Sequence, residues 1–215
     1  MLFDMDGTLV DSEKVWDVAL HELAARAGGT LSPAARQAMV GSSMRVSMQI
    51  LRDDLGQPDR DEAVDVAWIE GRVEELFAAG LVWRPGAMEL LAAVRAAGLP
   101  TALVTSTGRR LVEVALGTLG RDNFNAVVCG DEVSAPKPDP APYRRAADLL
   151  GVPIDQCVAI EDSPTGMASA LASGARVIAV PAELELPPTD GVHLRESLTG
   201  VDVAFLSSLF TEVTA

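Results

Sequence analysis

Hydrophobic side chains between residues 14 and 83 recur every three or four positions, the spacing of helices that bury one face. A first helix is predicted from about Ser12 to Ala27, with Trp16, Leu20 and Leu23 on its apolar face. No segment of this stretch has the pattern of a strand. Three further helical segments are predicted to start at Ser32-Pro33, Val46 and Pro58-Asp59.

From Arg84 onward, short apolar runs alternate with helical segments. Continuous apolar runs bounded by turn residues are typical of strands buried on both faces. The predicted strands are Ala102–Thr105, Ala126–Cys129, Val158–Ile160 and Val177–Val180. The predicted helices are Ala87–Ala97, Arg109–Leu119, Pro140–Leu150 and Pro164–Ser173. Residues 183–190 are predicted to form a surface loop, and the last twenty-five residues give no clear pattern.

Strands that alternate with helices indicate an α/β fold with a doubly wound, Rossmann-like parallel sheet. The apolar pair Leu2-Phe3 adds a first strand, which is either short or continued by residues before Met1. One architecture accommodates both patterns, with the helical block inserted after this first strand. We therefore predict a core domain of residues 1–13 and 84–215 and an α-helical cap domain of residues 14–83.

Composition narrows the range of partners. The chain has 215 residues and a net charge of −14, and 4% of its residues are aromatic. Such an acidic surface repels nucleic-acid backbones and anionic membranes, and few aromatic rings are available to stack on bases. The N-terminal pattern MLFDMDG predicts no signal peptide, and no apolar run approaches the length of a membrane span. We predict a cytoplasmic protein that binds neither nucleic acid nor membrane, and a monomer, with a dimer as the alternative.

Polar residues follow the predicted strands at their carboxyl ends, where open parallel sheets bind ligands. Asp4 and Asp6 share one face of an extended chain, and their charges repel unless a cation or a proton lies between them. Mg²⁺ suits such an all-oxygen site and keeps positions open for water and phosphate. A solvated turn or a helix cap would explain each pair alone, but not their recurrence at successive strand ends. The other residues at these ends are Thr105, Ser106, Glu161 and Asp162.

Lys137 is one of only two lysines in the chain, the other being Lys14. It lies in the segment APKPDP, whose prolines restrict the backbone and orient the side chain. A lysine on a rigid loop acts as a point charge beside phosphate or carboxylate. We therefore place Lys137 at the same rim as the acidic residues.

Four segments now resemble the four motifs of the haloacid-dehalogenase-like (HAD) phosphatase superfamily: FDMDGTLVDSE, LVTST, APKPDP and AIEDSPTGM. Their order and spacing cover the core from residue 2 to about residue 180. The helical insert resembles the superfamily's small helical cap. The most similar group is that of β-phosphoglucomutase-like proteins and sugar-phosphate phosphatases. The resemblance implies an Mg²⁺-dependent phosphomonoester hydrolase acting on a small sugar or polyol phosphate.

The resemblance also implies how the reaction proceeds. Asp4 would be the nucleophile and form an aspartyl-phosphate, which divides hydrolysis into two easier steps. Asp6 would be the general acid for the leaving oxygen and then the base for the attacking water. A carboxylate is a weak nucleophile toward an anion, so Mg²⁺ and Lys137 must offset the charge repulsion.

The same resemblance implies the ligands of the metal and of the phosphate. Mg²⁺ would be held by the side chains of Asp4 and Asp162 and by the backbone carbonyl of Asp6. Glu161 would bind the metal directly or support one of its ligands. The groups holding phosphate oxygens would be Thr105, the Ser106 backbone N–H and Lys137.

Proteins with these motifs catalyse several different reactions, and single residues distinguish one reaction from another. Dehalogenases do without the second aspartate and the metal, so Asp6 argues against that reaction. Phosphonoacetaldehyde hydrolases use a cap lysine as a Schiff base, and no lysine occurs between residues 15 and 83. A β-phosphoglucomutase-type mutase stays as the alternative.

The mutase alternative depends on charge in the cap. Val40 and Met44 stand where a mutase has basic residues, although Arg45, one position further on, is a candidate replacement. The pattern DSExxW over residues 11–16 is more similar to that of sugar-phosphate phosphatases. We therefore predict a phosphatase, with Arg45 as a candidate substrate-binding residue.

Two further possibilities stay open. Arg109 follows the Thr105 segment and is a candidate contact for the far end of the substrate, or else a solvated first-turn arginine. The fold would also suit a non-catalytic binding module, although every catalytic position is filled here. Mg²⁺-dependent turnover of p-nitrophenyl phosphate separates an enzyme from such a module.

Overall fold

A computed structural model describes residues 1–211. Six strands form one parallel sheet in the order β3-β2-β1-β4-β5-β6. The strands are β1 (Leu2–Phe3), β2 (Ala102–Val104), β3 (Ala126–Val128), β4 (Val158–Glu161), β5 (Arg176–Ala179) and β6 (Val192–Leu194). The α/β fold with a doubly wound sheet is therefore confirmed.

Within residues 1–211, four α-helices form the insert that follows β1, and five more lie before, between and after the remaining strands. The first group is α1 (Glu13–Arg26), α2 (Pro33–Met39), α3 (Met44–Asp54) and α4 (Glu62–Ala78). The second group is α5 (Ala87–Ala96), α6 (Arg109–Leu119), α7 (Ala141–Leu150), α8 (Pro164–Ser173) and α9 (Val203–Ser208). The helical insert after the first strand is thus present.

Alternating side chains of the buried strands feed two apolar cores, one on each face of the sheet. Phe3 and Ile160 belong to the larger core, which includes residues of α5, α6 and α9 and continues into the inserted helices. Leu2 and Ala159 point to the smaller core, beneath α7 and α8. Because β1 pairs with β2 on one side and β4 on the other, the segment after Phe3 emerges at the centre of the sheet edge.

The inserted helices join the sheet domain through two chain segments that run antiparallel around Val10 and Trp83. The Asp11 amide donates to the Val82 carbonyl at 2.8 Å, and the Arg84 amide donates to the Leu9 carbonyl at 2.9 Å. The helices α1 and α4 pack together, and α4 also packs on α6. This arrangement positions α1, α2 and α3 over the carboxyl ends of the strands.

Several predicted boundaries moved. The fourth inserted helix begins at Glu62 and not at Pro58, because Asp61 caps it by accepting a hydrogen bond from the Ala63 amide. The third begins at Met44, two residues before the predicted start at Val46. The unreadable C-terminal stretch contains β6 and α9.

The predicted division of the chain at residues 14 and 83 stays a prediction, and residues 212–215 of the predicted core lie outside the described residues. No helix within residues 1–211 is both long enough and apolar enough to cross a bilayer.

Candidate active site

The segment after β1 places Asp4 at the centre of the rim formed by the strand ends. The Asp4 amide donates to the Ile160 carbonyl at 3.1 Å, which extends the pairing of β1 with β4 by one residue. The Asp4 side chain is buried, and its Oδ1 accepts a hydrogen bond from Lys137 Nζ at 2.7 Å. Its Oδ2 is also buried and has no hydrogen-bond partner within residues 1–211.

Lys137 joins three strand ends through one ammonium group. Its Nζ donates to Asp4 Oδ1 at 2.7 Å, to the Val104 carbonyl at 2.9 Å and to Glu161 Oε1 at 2.6 Å. Burial alone would lower the pKa of Lys137, but the carboxylates of Asp4 and Glu161 outweigh burial and raise it. Lys137 is therefore a fixed positive charge, as its rigid loop predicts.

Glu161 and Asp162 close the other side of the rim. Glu161 is almost fully buried, and its Oε1 accepts hydrogen bonds from both Lys137 and the Tyr143 hydroxyl. Asp162 is also buried, and its Oδ1 accepts a hydrogen bond from Thr8 at 3.3 Å. Asp4, Glu161 and Asp162 each offer one carboxylate oxygen within a group whose members lie within 4.8 Å of one another.

Three buried carboxylates share one buried ammonium group, which leaves an excess of negative charge. Burial raises the pKa of Asp4 to about 8, with Lys137 opposing this rise. Burial also raises the pKa of Asp162, and the nearby charge of Asp4 raises it further. Both shifts reflect the cost of holding several ionised carboxylates together in a buried site. The unpartnered Asp4 oxygen and the all-oxygen donor set fit a hard divalent ion such as Mg²⁺.

Gly7 allows the first motif to turn against Asp162. Its φ is +78°, and a Cβ atom there would lie 2.1 Å from Asp162 Oδ2. Only glycine combines this backbone conformation with so close an approach. The sequence DMDG therefore requires its glycine for the site as well as for the turn.

Asp6 lies between the sheet and the inserted helices and accepts four hydrogen bonds. Ser12 Oγ and Trp16 Nε1 donate to its Oδ1 at 2.7 and 3.3 Å. Thr105 Oγ1 and Thr107 Oγ1 donate to its Oδ2 at 3.0 and 2.8 Å. Ser12 caps α1 and Trp16 lies within it, whereas Thr105 and Thr107 follow β2, so the Asp6 carboxylate is held from both sides.

The predicted phosphate-binding residues lie at the same rim. Besides bonding Asp6, the Thr105 hydroxyl accepts a hydrogen bond from the Thr107 amide at 3.0 Å. Ser106 lines the cavity above the strand ends. A Cβ atom on Gly130 would lie 2.1 Å from the Ser106 carbonyl oxygen, so Gly130 permits the loop after β3 to pack against this segment.

A cavity of about 340 Å³ lies between this rim and the inserted helices. Its helical wall includes an ion pair in which Arg36 Nη2 donates to Glu13 Oε2 at 2.9 Å, and Arg36 Nε also donates to Asp17 at 3.0 Å. Ser42 Oγ and Ser47 Oγ form a hydrogen bond of 2.7 Å on the same wall. The other residues of this wall include Trp16, Met39, Met44 and Met48.

The two candidate arginines lie in different places. Arg45 lines the cavity from the first turn of α3, and no acidic side chain of residues 1–211 pairs with it. Arg109 is not among the lining residues. Its Nη2 donates to Glu132 at 2.7 Å and to the Val127 carbonyl at 3.0 Å, which directs the guanidinium to the neighbouring loop. The structure therefore brings Arg45 to the site and does not bring Arg109 there.

Sequence reasoning missed several residues around the site. Tyr143 lies in the first turn of α7, and only the fold brings its hydroxyl to Glu161. Thr107 directly follows Thr105 and Ser106, and this run of three hydroxyl residues indicates that Thr107 also lies at the site. Glu13 and Arg36 belong to different helices, and their pairing depends on tertiary structure.

Comparisons with known proteins decide the family. The sequence profile of the haloacid dehalogenase-like hydrolases matches residues 1–174. The chain belongs to this family. It is 34% identical over 194 residues to "Hexitol phosphatase A" of Escherichia coli K12, covering 90% of this chain and 88% of that protein. It is also 34% identical over 193 residues to "Protein CbbY" of Rhodobacter capsulatus, covering 85% of each.

The solved structures agree with the family membership. The crystal structure of CbbY from Rhodobacter sphaeroides in complex with phosphate has a TM-score of 0.83 and 28% identity, over 96% of this chain and 97% of that one. The resemblance inferred from the four motifs is thus confirmed. The family profile and the phosphatase among these relatives also confirm the prediction of an enzyme of the HAD-like phosphatase type.

Proposed function

We propose that this protein is an Mg²⁺-dependent phosphomonoester hydrolase that acts on a small sugar or polyol phosphate through an aspartyl-phosphate. One observation carries the proposal. A buried carboxylate, Asp4, has one oxygen held by Lys137 and the other unpartnered beside a cavity. The name of one similar protein, "Hexitol phosphatase A", and the phosphate bound in the CbbY crystal structure support the substrate class.

In the first step, Asp4 attacks phosphorus as the bond to the ester oxygen breaks. Lys137 offsets the repulsion between the carboxylate and the phosphoryl group, and Thr105 and Ser106 contact the phosphoryl oxygens. Asp6 donates its proton to the leaving oxygen, which is released as an alcohol. In the second step Asp6 takes a proton from water, the water oxygen attacks phosphorus, and Asp4 is regenerated as phosphate departs.

The carboxylates of Asp4 and Asp162 are the candidate ligands of Mg²⁺, with the Asp6 backbone carbonyl. Mg²⁺, when bound, offsets negative charge on the phosphoryl group. Glu161 already accepts hydrogen bonds from Lys137 and Tyr143, which favours a role in holding Lys137. Arg45 is the candidate contact for the substrate at the cavity mouth. Arg109 stays a candidate in sequence terms alone.

Phosphate release from p-nitrophenyl phosphate tests the metal. We expect EDTA to remove the activity and Mg²⁺ to restore it. Ca²⁺ should inhibit, because it accepts more ligands and can engage both oxygens of Asp4, which spoils the attack geometry. Full activity in EDTA would refute a metal-dependent reaction.

Acid quenching during turnover tests the intermediate. We expect a labile adduct with the mass of one phosphoryl group on the peptide that contains Asp4. Borohydride reduction of the quenched protein should convert Asp4 to homoserine, whereas a control without substrate should not. Turnover without any adduct at Asp4 contradicts the covalent pathway.

The mutase alternative depends on Arg45, the cavity-lining cation that has no ion-pair partner within residues 1–211. Val40 and Met44 add no charge beside it. We therefore expect β-glucose 1-phosphate with catalytic glucose 1,6-bisphosphate to yield phosphate and little glucose 6-phosphate. Near-stoichiometric conversion to glucose 6-phosphate would favour the mutase.

A further inference from the structure

One buried carboxylate of the cavity wall has no part in the proposed reaction. Glu13 begins α1 and lines the cavity, with 8% of its side-chain surface exposed. Arg36 Nη2 donates to Glu13 Oε2 at 2.9 Å and to the Glu13 carbonyl at 3.1 Å. No group of residues 1–211 donates to the second carboxylate oxygen, Oε1. This oxygen is not fully buried, so a hydroxyl group of a ligand in the cavity that Glu13 lines can donate to it.

The position of Glu13 relates it to the organic part of a substrate. Its neighbour Ser12 donates to Asp6 Oδ1 at 2.7 Å, and Trp16, one turn further along α1, donates to the same atom at 3.3 Å. Asp6 is the proposed acid for the leaving oxygen. The carbon chain attached to that oxygen therefore lies against the wall that contains Glu13 and Trp16.

The charge of the cavity disfavours a second phosphate at this wall. Lys137 is committed to Asp4 and Glu161, and Arg36 is committed to Glu13 and Asp17. Six acidic residues line the cavity against three basic ones. The acidic residues are Asp4, Asp6, Glu13, Glu70, Asp131 and Asp162, and the basic ones are Arg36, Arg45 and Lys137. A neutral, hydrogen-bond-donating chain suits this wall better than a second anion.

We propose that Glu13 accepts hydrogen bonds from hydroxyl groups on the carbon chain of the substrate and thereby selects polyhydroxylated monophosphates. Arg36 is a positioning residue that fixes the carboxylate of Glu13. The inference rests on the proposed phosphatase function and adds to it a residue that determines specificity. It disfavours both esters without hydroxyl groups and bisphosphates.

The test compares two phosphate esters with equal carbon chains. D-glucitol 6-phosphate carries hydroxyl groups along its chain, and n-hexyl phosphate carries none. For the wild-type protein with Mg²⁺, we expect kcat/KM for the glucitol ester to exceed that for the hexyl ester at least about tenfold, because hydrogen bonds to a charged group are strong. Glucose 1,6-bisphosphate should be a poor substrate.

Glu13→Gln keeps the volume of the side chain and removes its charge. We expect about a tenfold loss of kcat/KM with the glucitol ester, mainly through KM, and little change with the hexyl ester. Glu22→Gln is the matched control, since Glu22 lies on the same helix and pairs with Arg72 at 2.6 Å outside the cavity lining. It should leave both esters unaffected.

Arg36→Gln provides a second variant should Glu13→Gln fold poorly, as judged by its thermal midpoint. We expect a selective loss on the glucitol ester that is smaller than that of Glu13→Gln. Equal losses on both esters would show a purely structural role, and preference for the bisphosphate would assign recognition to Arg45. Either result overturns the inference about Glu13. Turnover of hexyl phosphate by the wild-type protein would still support the proposed phosphatase activity. Turnover of neither ester, nor of p-nitrophenyl phosphate, would reject the proposed function itself.

Discussion

The two walls of the cavity are built in different ways. On the sheet side, Lys137 fixes Asp4 and Glu161 through contacts of 2.6 to 2.7 Å at the ends of paired strands. On the helical side, Glu13 and Arg36 meet across two helices, and the remaining surface is a mixture of hydroxyl, thioether, aromatic and charged side chains. The sheet wall is suited to one reaction, and the helical wall is suited to selecting the substrate. Changes in the sheet wall should therefore affect every ester, and changes in the helical wall only some.

Asp4→Asn should have the largest effect of any change in the sheet wall. The amide cannot attack phosphorus, so turnover of all esters should fall by at least about 10⁴-fold. The fold should persist, because Lys137 keeps its bonds to Glu161 and the Val104 carbonyl. Phosphate release and circular dichroism check the two expectations. Wild-type activity in this variant would show that the nucleophile lies elsewhere.

Asp6→Asn should discriminate among esters by leaving group, although Asp6 contacts both walls. Loss of proton transfer should lower kcat by about 10²–10⁴-fold for alkyl phosphates. The loss should be smaller for p-nitrophenyl phosphate, whose leaving group needs no proton. Parallel kcat measurements on the two esters check this. A uniform loss would mean that Asp6 orients the site and does not act as the acid.

Gly41→Ala tests the contact between the two walls. Gly41 has a φ of +69°, and a Cβ atom there would lie 2.9 Å from Ser163 Cβ on the sheet domain. Overpacking costs about 1–3 kcal/mol, so we expect kcat/KM to fall about tenfold. Gly28→Ala is the control, because its φ of +79° carries the same backbone strain with nothing within 4 Å. Equal kinetics in the two variants would show that the contact is unimportant for catalysis.

The smallest expected effect concerns stability and pH. Burial raises the pKa of Asp4 from 3.8 to about 8, so between these values the folded protein holds a proton that the unfolded chain has released. This contribution to the free energy of unfolding is lost as pH rises from about 4 to about 8. Bound Mg²⁺ replaces the proton. The Mg²⁺-induced rise in Tm should therefore be larger at pH 8 than at pH 5. Each kcal/mol added to the free energy of unfolding raises Tm by about 2–4 °C.

Differential scanning fluorimetry with Mg²⁺ and with EDTA at each pH checks this expectation. Lys137 stays charged throughout the range, since its pKa is raised. The helical-wall variant Glu13→Gln should keep the same Mg²⁺ response as the wild type. If the Mg²⁺-induced rise in Tm were the same at pH 5 and pH 8, Asp4 would not be a ligand of the metal.

The same contrast between the two walls explains which parts of the site can be predicted from the sequence alone. The sheet wall follows from local rules, because parallel strand ends meet at one edge and the residues after them must converge. The positions of Asp4, Lys137 and Asp162 along the chain therefore predict that these three residues lie together. The chemistry-bearing wall is thus encoded in short segments with fixed order.

The helical wall has no comparable local rule. Arg36 meets Glu13 only because α2 packs beside the start of α1, and α-helical periodicity does not specify which helices become neighbours. Arg109 failed to reach the cavity for a related reason. Glu132, in the loop after β3, binds its guanidinium, and that pairing depends on tertiary contacts. β6 and α9 were missed because both are short and half-exposed.

The central place of β1 in the sheet has a consequence for biosynthesis. Phe3 pairs with Leu103 on one side and Ile160 on the other, so β1 has both of its neighbours only after β4 has been translated. At about 5–20 residues per second, β1 waits roughly 10–30 s for β4. The helices α1 to α4 precede β4 in the chain and can form during that interval. We expect the centre of the sheet to become stable only when β4 pairs with β1. A nascent chain should therefore gain its active site late in synthesis and in one step.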